Sequence, residues 1–239
     1  MKLFCLPHAG GSASFYTKWT KKIENSFVEL VCIEYKGHGV RMDEGFYNSF
    51  YDMVEDVYDI VSKKIMDKSD KYMIFGHSMG ACVAYELECL LEQRRNLYCS
   101  HIFLSGREAP IFWGKDDEVR SDLPDEQFLG EILKFGGVES SCFDDKEVLD
   151  LFLPIMRNDF RLVESINKTK GYPPIKAHMT IMNGSTDKDC ELKQVDDWRN
   201  STYLNCEILY YDGGHFYIND HTDEICDYIC RCSKNDNSK

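Results

Sequence analysis

The sequence predicts an α/β fold in which helices flank a mostly parallel central sheet, with one helical insertion. Short apolar runs alternate with longer amphipathic runs along most of the 239 residues. The short runs are apolar on both faces, which is typical of strands inside a parallel sheet. Residues from about 115 to 169 break the alternation, because they show helical patterns and no convincing strand.

Six short apolar runs predict the strands of this sheet. Each is four to six residues long, the usual length of a buried strand. In chain order they are Lys2–Leu6, Val28–Ile33 within Phe27–Tyr35, Tyr72–Phe75, His101–Leu104, His178–Met182 and Glu207–Tyr211.

Amphipathic runs between the strands predict helices. In Phe50–Met66 the apolar residues recur at spacings of three and four, which places them on one face of a helix. Further helices are predicted at Ala81–Leu91, Cys190–Tyr203 and Asp223–Cys232. Strand–helix alternation of this kind favours helices that cover a parallel sheet.

The insertion at about 115–169 contains two predicted helices, Asp125–Phe135 and Lys146–Ile166, separated by Gly136 and Gly137. Insertions between two strands of a sheet often form a lid over a site. The alternative is a pair of packing helices without a gating role. The chain length favours a single domain, residues 1–239, that contains both the sheet and the insertion.

The charge composition disfavours several classes of partner. The chain has 28 basic and 41 acidic residues, a net charge of −13, which argues against nucleic acid and anionic membranes. No apolar run approaches the ~18–20 residues of a membrane span. The apolar run that follows Met1 is too short for a signal-peptide core. We therefore expect a cytoplasmic protein.

The cysteine content fits a reducing compartment. There are eleven cysteines, an odd number, and many lie in apolar stretches, where thiols act as small buried hydrophobic groups. Cys226, Cys230 and Cys232 lie near His221, but the two CxxC pairs of a typical zinc site are missing. We expect no metal site.

The strongest chemical signal is the run Gly76-His77-Ser78-Met79-Gly80. It follows a predicted strand and precedes a predicted helix, which is the context of a G-x-S-x-G nucleophile elbow. The glycines allow neighbouring chain segments to approach the strained serine closely. The turn places the Ser78 oxygen at the positive end of the helix. The alternative is an ordinary glycine-rich turn.

A serine nucleophile needs a general base, and His215 has the expected position. In folds with this elbow the chain order is Ser, then Asp or Glu, then His. His215 lies in the loop Asp212–Phe216, directly after the last predicted strand. The other six histidines precede or lie within the serine motif, start strands, or belong to the last helical region.

The third member of such a site is an acid that orients the imidazole. It should follow the penultimate strand, where Asp187 and Asp189 are both candidates. We favour Asp187, because it lies closer to the strand end and Gly184 shapes the turn before it. The other aspartate would then be a solvated carboxylate or a helix cap.

The developing oxyanion needs two hydrogen-bond donors. One is the backbone N–H of the residue after the nucleophile, Met79. The second should come from the small-residue loop after the first strand, where we favour Ala9 over Gly10. A phosphate-binding loop is the weaker alternative, because neither of the two common glycine-rich phosphate motifs occurs.

Motifs distributed over nearly the whole chain resemble one enzyme family in their order and spacing. They are Leu3–Ala13, Gly37–Gly39 with Arg41, Phe75–Ala81, Ser105–Pro110, Leu153–Phe160, Gly184–Asp187, Trp198 and Gly213–Phe216. Together they resemble the type II thioesterases of nonribosomal peptide and polyketide biosynthesis, which have the α/β-hydrolase fold. The resemblance implies that Ser78, Asp187 and His215 form a catalytic triad.

The resemblance also implies a substrate and a partner. The substrate would be an acyl or aminoacyl group in thioester linkage to the phosphopantetheine arm of a carrier protein. The enzyme would remove stalled or wrongly primed groups, would need no metal or bound cofactor, and would be a monomer.

Three other functions are alternatives on the same fold. A carboxylesterase or lipase would act on free esters with the same triad. An acyltransferase would replace water by an alcohol or amine. A non-catalytic binding module would use only the scaffold, which the complete set of Ser78, Asp187 and His215 argues against.

Overall fold

Six strands form one parallel sheet within the residues that the structure describes. The structure is a computed structural model and describes residues 1–24, 26–114, 119–137, 145–167, 169–190 and 192–236. The strands are β1 (Lys2–Leu6), β2 (Glu29–Cys32), β3 (Tyr72–His77), β4 (His101–Ser105), β5 (His178–Gly184) and β6 (Cys206–Tyr211). Their order is β2-β1-β3-β4-β5-β6, and all neighbours are parallel. The predicted parallel sheet and its six strands are confirmed.

Helices lie between successive strands, and one more helix follows the last strand. In the described chain they are α1 (Thr17–Ile23), α2 (Phe50–Lys64), α3 (Met79–Arg95), α4 (Asp125–Lys134), α5 (Lys146–Glu164), α6 (Leu192–Asp196) and α7 (Thr222–Asp236). None of these described helices is both long enough and apolar enough to cross a membrane.

Two details of the helix prediction are wrong. Helix α1 was not predicted, and the predicted helix Cys190–Tyr203 is instead the short α6 followed by a 3-10 segment, Asp197–Ser201. The 3-10 segment contains the buried Trp198, whose indole N–H donates a hydrogen bond of 2.8 Å to the Arg107 carbonyl. This side-chain contact is not visible in the apolar periodicity of the sequence.

The sheet is buried on both faces, as the apolar strands predict. Phe4 and Ile74 lie in the apolar cluster that also contains the buried faces of α2 and α3. Their strand neighbours Leu3 and Met73 lie in a second cluster, formed with side chains of α1 and α7. Alternate residues of a strand point to opposite faces, so each strand contributes to both clusters.

The segment between β4 and β5 contains α4 and α5, close to the two predicted helices. A small apolar cluster of Phe128, Ile132 and Met156 joins the two helices. Parts of the predicted insertion, residues 115–118, 138–144 and 168, lie outside the described residues.

Glu88 of α3 is a fully buried carboxyl group, nine residues after Met79 on the same helix. The Cys99 N–H donates to Oε1 at 2.7 Å, and the Tyr72 hydroxyl donates to Oε2 at 2.9 Å. Burial raises the pKa of Glu88 to about 8, although these two hydrogen bonds act in the opposite direction. The folded protein therefore holds Glu88 protonated at neutral pH.

The raised pKa of Glu88 predicts that the free energy of unfolding depends on pH. The unfolded chain ionises Glu88 above about pH 4.3, whereas the folded chain keeps the proton up to about pH 8. Between these values the unfolded state binds fewer protons, so the group lowers the unfolding free energy as pH rises, by up to about 1.4 kcal/mol per pH unit. We expect Glu88→Gln to remove this contribution.

The measurement is urea denaturation of wild type and Glu88→Gln at pH 5, 6, 7 and 8. Glu24→Gln, at an exposed glutamate, is the matched control. The expected result is a flatter decline of unfolding free energy with pH in Glu88→Gln only. Equal slopes in wild type and Glu88→Gln would contradict the prediction.

Candidate active site

Ser78 lies in the sharp turn between β3 and α3. Its φ is 55° and its ψ is −117°, a conformation that residues with a side chain rarely adopt. The Ser78 N–H donates a hydrogen bond of 2.8 Å to the Ser105 carbonyl at the end of β4. The turn directs the chain straight into α3, whose first turn begins at Met79. This is the strand–turn–helix arrangement that the motif predicts.

Two glycines make this turn sterically possible. A Cβ atom at Gly76 would lie 2.1 Å from the Gly80 carbonyl oxygen, and one at Gly80 would lie 2.2 Å from the Leu6 carbonyl oxygen. Both distances are far shorter than a non-bonded contact. The glycines of the motif therefore allow strand β3, helix α3 and the end of β1 to approach one another closely around Ser78.

His215 and Asp187 form a buried pair, although they are 28 residues apart. The His215 Nδ1 atom lies 2.8 Å from Asp187 Oδ2, and both side chains are almost completely inaccessible. The second carboxylate oxygen, Oδ1, accepts the Asp189 N–H at 3.1 Å. A carboxylate at Nδ1 fixes the imidazole tautomer and leaves Nε2 to accept a proton.

Backbone hydrogen bonds hold the loop after β5, which carries Asp187, against the loop after β6, which carries His215. The Ser185 N–H donates to the Tyr211 carbonyl at 2.8 Å, and the Thr186 N–H donates to the Gly213 carbonyl at 3.0 Å. Both contacts join the ends of β5 and β6. They place Asp187 beside His215 independently of the side-chain pair.

Asp189, the alternative acid, has a different partner. One of its carboxylate oxygens lies 3.2 Å from Arg120 Nη2. Arg120 precedes α4, so this ion pair connects the segment between β4 and β5 to the loop that carries Asp187. Of the two predicted acids, the structure places only Asp187 in contact with His215.

The loop after β1 provides backbone near Ser78. Ala9, Gly10, Ser78 and Met79 all line one cavity with His215. The Gly10 N–H donates to Asp159 Oδ2 at 2.7 Å, so it is already engaged. Met79 is the first residue of α3, where backbone N–H groups have no intrahelical partner. This arrangement favours Ala9 over Gly10 as the second oxyanion donor.

Two further histidines, His77 and His8, lie near His215, although their sequence positions predict no role for them. The His77 ring centre lies 5.1 Å from that of His215, and the His8 ring lies 5.9 Å from that of His77. Burial lowers the pKa of His8 to about 3 and that of His77 well below its usual value, and in both cases nearby histidines add to the effect. Both rings are therefore neutral. Each histidine directly precedes a predicted site residue, Ala9 or Ser78, but no spacing rule predicts their contact.

A chain of hydrogen bonds connects His77 to other buried side chains of the core. Its Nδ1 lies 2.8 Å from Ser105 Oγ, which lies 2.6 Å from the Tyr217 hydroxyl. All three side chains are buried. The chain fixes the ring behind His215 and ties β3 and β4 to the segment that follows His215.

The cavity above Ser78 has a volume of about 770 Å³ and an apolar inner wall. Side chains of α4, of α5 and of the residue directly after α4 form most of this wall: Ile132, Phe135, Phe152, Met156 and Phe160. Charged side chains of Arg107, Arg120 and Lys188 also line the cavity, together with Glu108, Glu164 and Asp189. The site can therefore hold an apolar group beside the serine and also offers charged groups to polar parts of a ligand.

Comparison with known proteins relates the chain to thioesterases. Residues 1–232 match the thioesterase domain family. The chain is 34% identical over 231 residues to thioesterase PikA5 of Streptomyces venezuelae, covering 96% of this chain and 79% of that protein. It is 30% identical over 237 residues to the gramicidin S biosynthesis protein GrsT of Aneurinibacillus migulanus, covering 97% and 88%.

Solved structures show the same similarity. ClbQ from the colibactin NRPS/PKS pathway superimposes with a TM-score of 0.90 at 27% identity, covering 98% of this chain and 97% of that one. The type II thioesterase BorB from the borrelidin biosynthetic cluster gives a TM-score of 0.85 at 25% identity, covering 97% and 91%.

The geometry predicts which aspartate activates Ser78. We expect Asp187→Asn to slow labelling of Ser78 by a fluorophosphonate probe about 10³- to 10⁴-fold, because the amide no longer stabilises the correct imidazole tautomer and its charged form. Asp189→Asn should change the rate by less than about fivefold, because it removes only a partly exposed ion pair.

The labelling rate is measured at one probe concentration by gel fluorescence, with Ser78→Ala as the unlabelled control. A larger loss in Asp189→Asn than in Asp187→Asn would reverse the assignment of the acid.

Proposed function

The chain belongs to the thioesterase domain family, and we propose that it removes acyl or aminoacyl groups from the phosphopantetheine arms of carrier proteins. The observation that carries the proposal is the buried Asp187–His215 pair, whose histidine lines the same cavity as Ser78. The editing of stalled or wrongly primed groups in nonribosomal peptide or polyketide assembly is supported by similarity to proteins of such pathways.

The first half of the reaction forms an acyl-enzyme. His215 Nε2 accepts the Ser78 proton as Oγ attacks the thioester carbonyl carbon. The N–H groups of Met79 and Ala9 stabilise the negative charge that develops on the carbonyl oxygen. The carbon–sulfur bond then breaks, and the pantetheine thiol leaves with the proton from His215.

The second half returns the enzyme to its starting state. His215 accepts a proton from water, whose oxygen attacks the Ser78 ester. The bond between the acyl carbon and Ser78 Oγ breaks, and His215 returns the proton to the serine oxygen. The products are a carboxylic acid and the free enzyme. Nucleophile, base and oxyanion donors all come from the chain, so the proposed reaction needs no metal or cofactor.

The cavity suggests where the two parts of the substrate bind. The acyl group would pack against the apolar wall of the cavity, because burial of apolar groups is favourable there. The polar pantetheine arm would lie along the charged side chains of the cavity lining. In this arrangement the insertion acts as the lid of the site, and the carrier protein docks at the cavity mouth.

We propose a monomeric, cytoplasmic enzyme. The net charge of −13 gives no reason for attachment to an anionic membrane. The cysteines of the described residues carry free thiols, as they would in a reducing compartment.

The test is hydrolysis of a panel of acyl and aminoacyl groups loaded on a phosphopantetheinyl carrier protein. We expect release by wild type and a loss of more than about 10³-fold in Ser78→Ala, since the nucleophile is essential. Ser69→Ala, at an exposed serine, is the matched control and should keep wild-type activity.

Two outcomes would overturn the proposal. Cleavage of free esters without release from any carrier would identify an esterase. Transfer of the acyl group to an added alcohol or amine in preference to water would identify an acyltransferase.

A further inference from the structure

A buried ion pair joins Asp159 of α5 to His38, which follows β2, and Asp159 also contacts the loop after β1. Asp159 is completely buried and His38 is 2% exposed. The His38 Nε2 atom lies 2.8 Å from Asp159 Oδ2. The same carboxylate oxygen accepts the Gly10 N–H at 2.7 Å. These two residues, 121 positions apart, thus meet at the residue that follows Ala9.

The contacts of His38 define its charge. Its Nδ1 atom lies 3.0 Å from the Lys36 carbonyl oxygen, and its Nε2 atom faces a carboxylate. Both partners are acceptors when Asp159 is ionised, so both ring nitrogens carry protons and His38 is an imidazolium. Burial lowers the pKa of His38, but hydrogen bonding and the charge of Asp159 raise it more, so the net shift is upward. The imidazolium balances the buried charge of Asp159.

The ion pair fixes one of the two peptide planes that flank Ala9. The Gly10 N–H, held by Asp159, fixes the plane between Ala9 and Gly10. The Gly11 N–H donates to the His8 carbonyl at 2.9 Å and so fixes the plane between His8 and Ala9. With both planes fixed, the direction of the Ala9 N–H is determined.

Helix α5 contacts this loop at a second position. Met156 lies three residues before Asp159 and therefore on the same helix face. A Cβ atom at Gly10 would lie 1.8 Å from the Met156 sulfur, so the side chain packs directly against the glycine. Met156 also lines the cavity. Helix α5 thus contributes to the apolar wall of the cavity and also supports the loop that carries Ala9, the proposed oxyanion donor.

We propose that Asp159, paired with His38, is a positioning residue that holds the Ala9 N–H in place for the transition state. The inference rests on the proposed function, because it assigns a support to the proposed oxyanion donor. Asp159 acts through the backbone and touches no reacting atom. Its role is in the rate of the chemical step, so its loss lowers kcat and leaves KM nearly unchanged.

The experiment compares Asp159→Asn with wild type on an acyl-N-acetylcysteamine thioester. We expect kcat to fall about 10- to 100-fold, because misdirection of one oxyanion donor costs somewhat less than its removal. KM should stay within about threefold. Asp150→Asn, at an exposed carboxylate of the same helix, is the matched control and should behave as wild type.

An inhibitor pair separates positioning from a purely structural role. An alkyl trifluoromethyl ketone adds to Ser78 and forms an oxyanion, whereas the corresponding alkyl alcohol does not. We expect Asp159→Asn to raise the Ki of the ketone by about the same factor as it lowers kcat, and to leave that of the alcohol unchanged. The folded fraction is determined by circular dichroism at the assay temperature.

His38→Gln is the second variant, for the case that Asp159→Asn does not fold. Asp159 Oδ1 has no hydrogen-bond partner among the described residues, so an amide nitrogen there is destabilising. His38→Gln keeps the Gly10 contact but removes the imidazolium, and should lower kcat about 3- to 10-fold at constant KM.

Three results would overturn the inference: a wild-type kcat in folded Asp159→Asn, a wild-type kcat in folded His38→Gln, or a loss that equals the unfolded fraction. Ser78→Ala is measured in parallel. If Ser78→Ala hydrolyses the thioester, the proposed function itself fails. If Ser78→Ala is inactive while Asp159→Asn is unimpaired, only the positioning role fails.

Discussion

The backbone of Ser78 is the constraint around which the site is built. Its φ of 55° costs about 1–3 kcal/mol, and such a conformation persists only where the surroundings enforce it. Here the neighbouring strand β4 accepts the Ser78 N–H, and the close contacts at Gly76 and Gly80 leave no room for a relaxed turn. The strain holds the serine oxygen above the sheet, at the N-terminus of α3.

The parallel sheet collects the remaining groups at the same edge. Ser78 follows β3, Asp187 follows β5 and His215 follows β6, so all three lie beyond the carboxyl ends of their strands. In a parallel sheet these ends lie side by side, which brings residues far apart in sequence into one site. Helices α4 and α5, which follow β4, line the cavity at this edge, and α5 also accepts the Gly10 N–H through Asp159.

Local patterns in the sequence predicted most of this arrangement, because the signals are themselves local. The strands are apolar on both faces, and the serine motif fits between a strand and a helix. Helix α1 was missed because it is short and buries only Trp19 and Ile23. The choice between Asp187 and Asp189 rested on proximity to a strand end, whereas the structure separates them by their partners, His215 and Arg120.

Contacts between distant segments were not predictable in this way. His38 and Asp159 belong to separate motifs, and neither apolar periodicity nor spacing indicates that they meet. The same is true of His77, whose contacts with Ser105 and His215 depend on the register of β3 and β4. Such pairs come from the tertiary fold; in the His38–Asp159 pair it places a buried charge where a partner balances it.

The most direct measurement is mass spectrometry of the enzyme, in excess over an acylated carrier protein, after rapid acid quench and proteolysis. The account predicts that the peptide containing Ser78 gains the mass of the acyl group, at a rate at least equal to turnover. Release of the acid with no acylated Ser78 at any time, or acylation of another residue such as a cysteine, would contradict it.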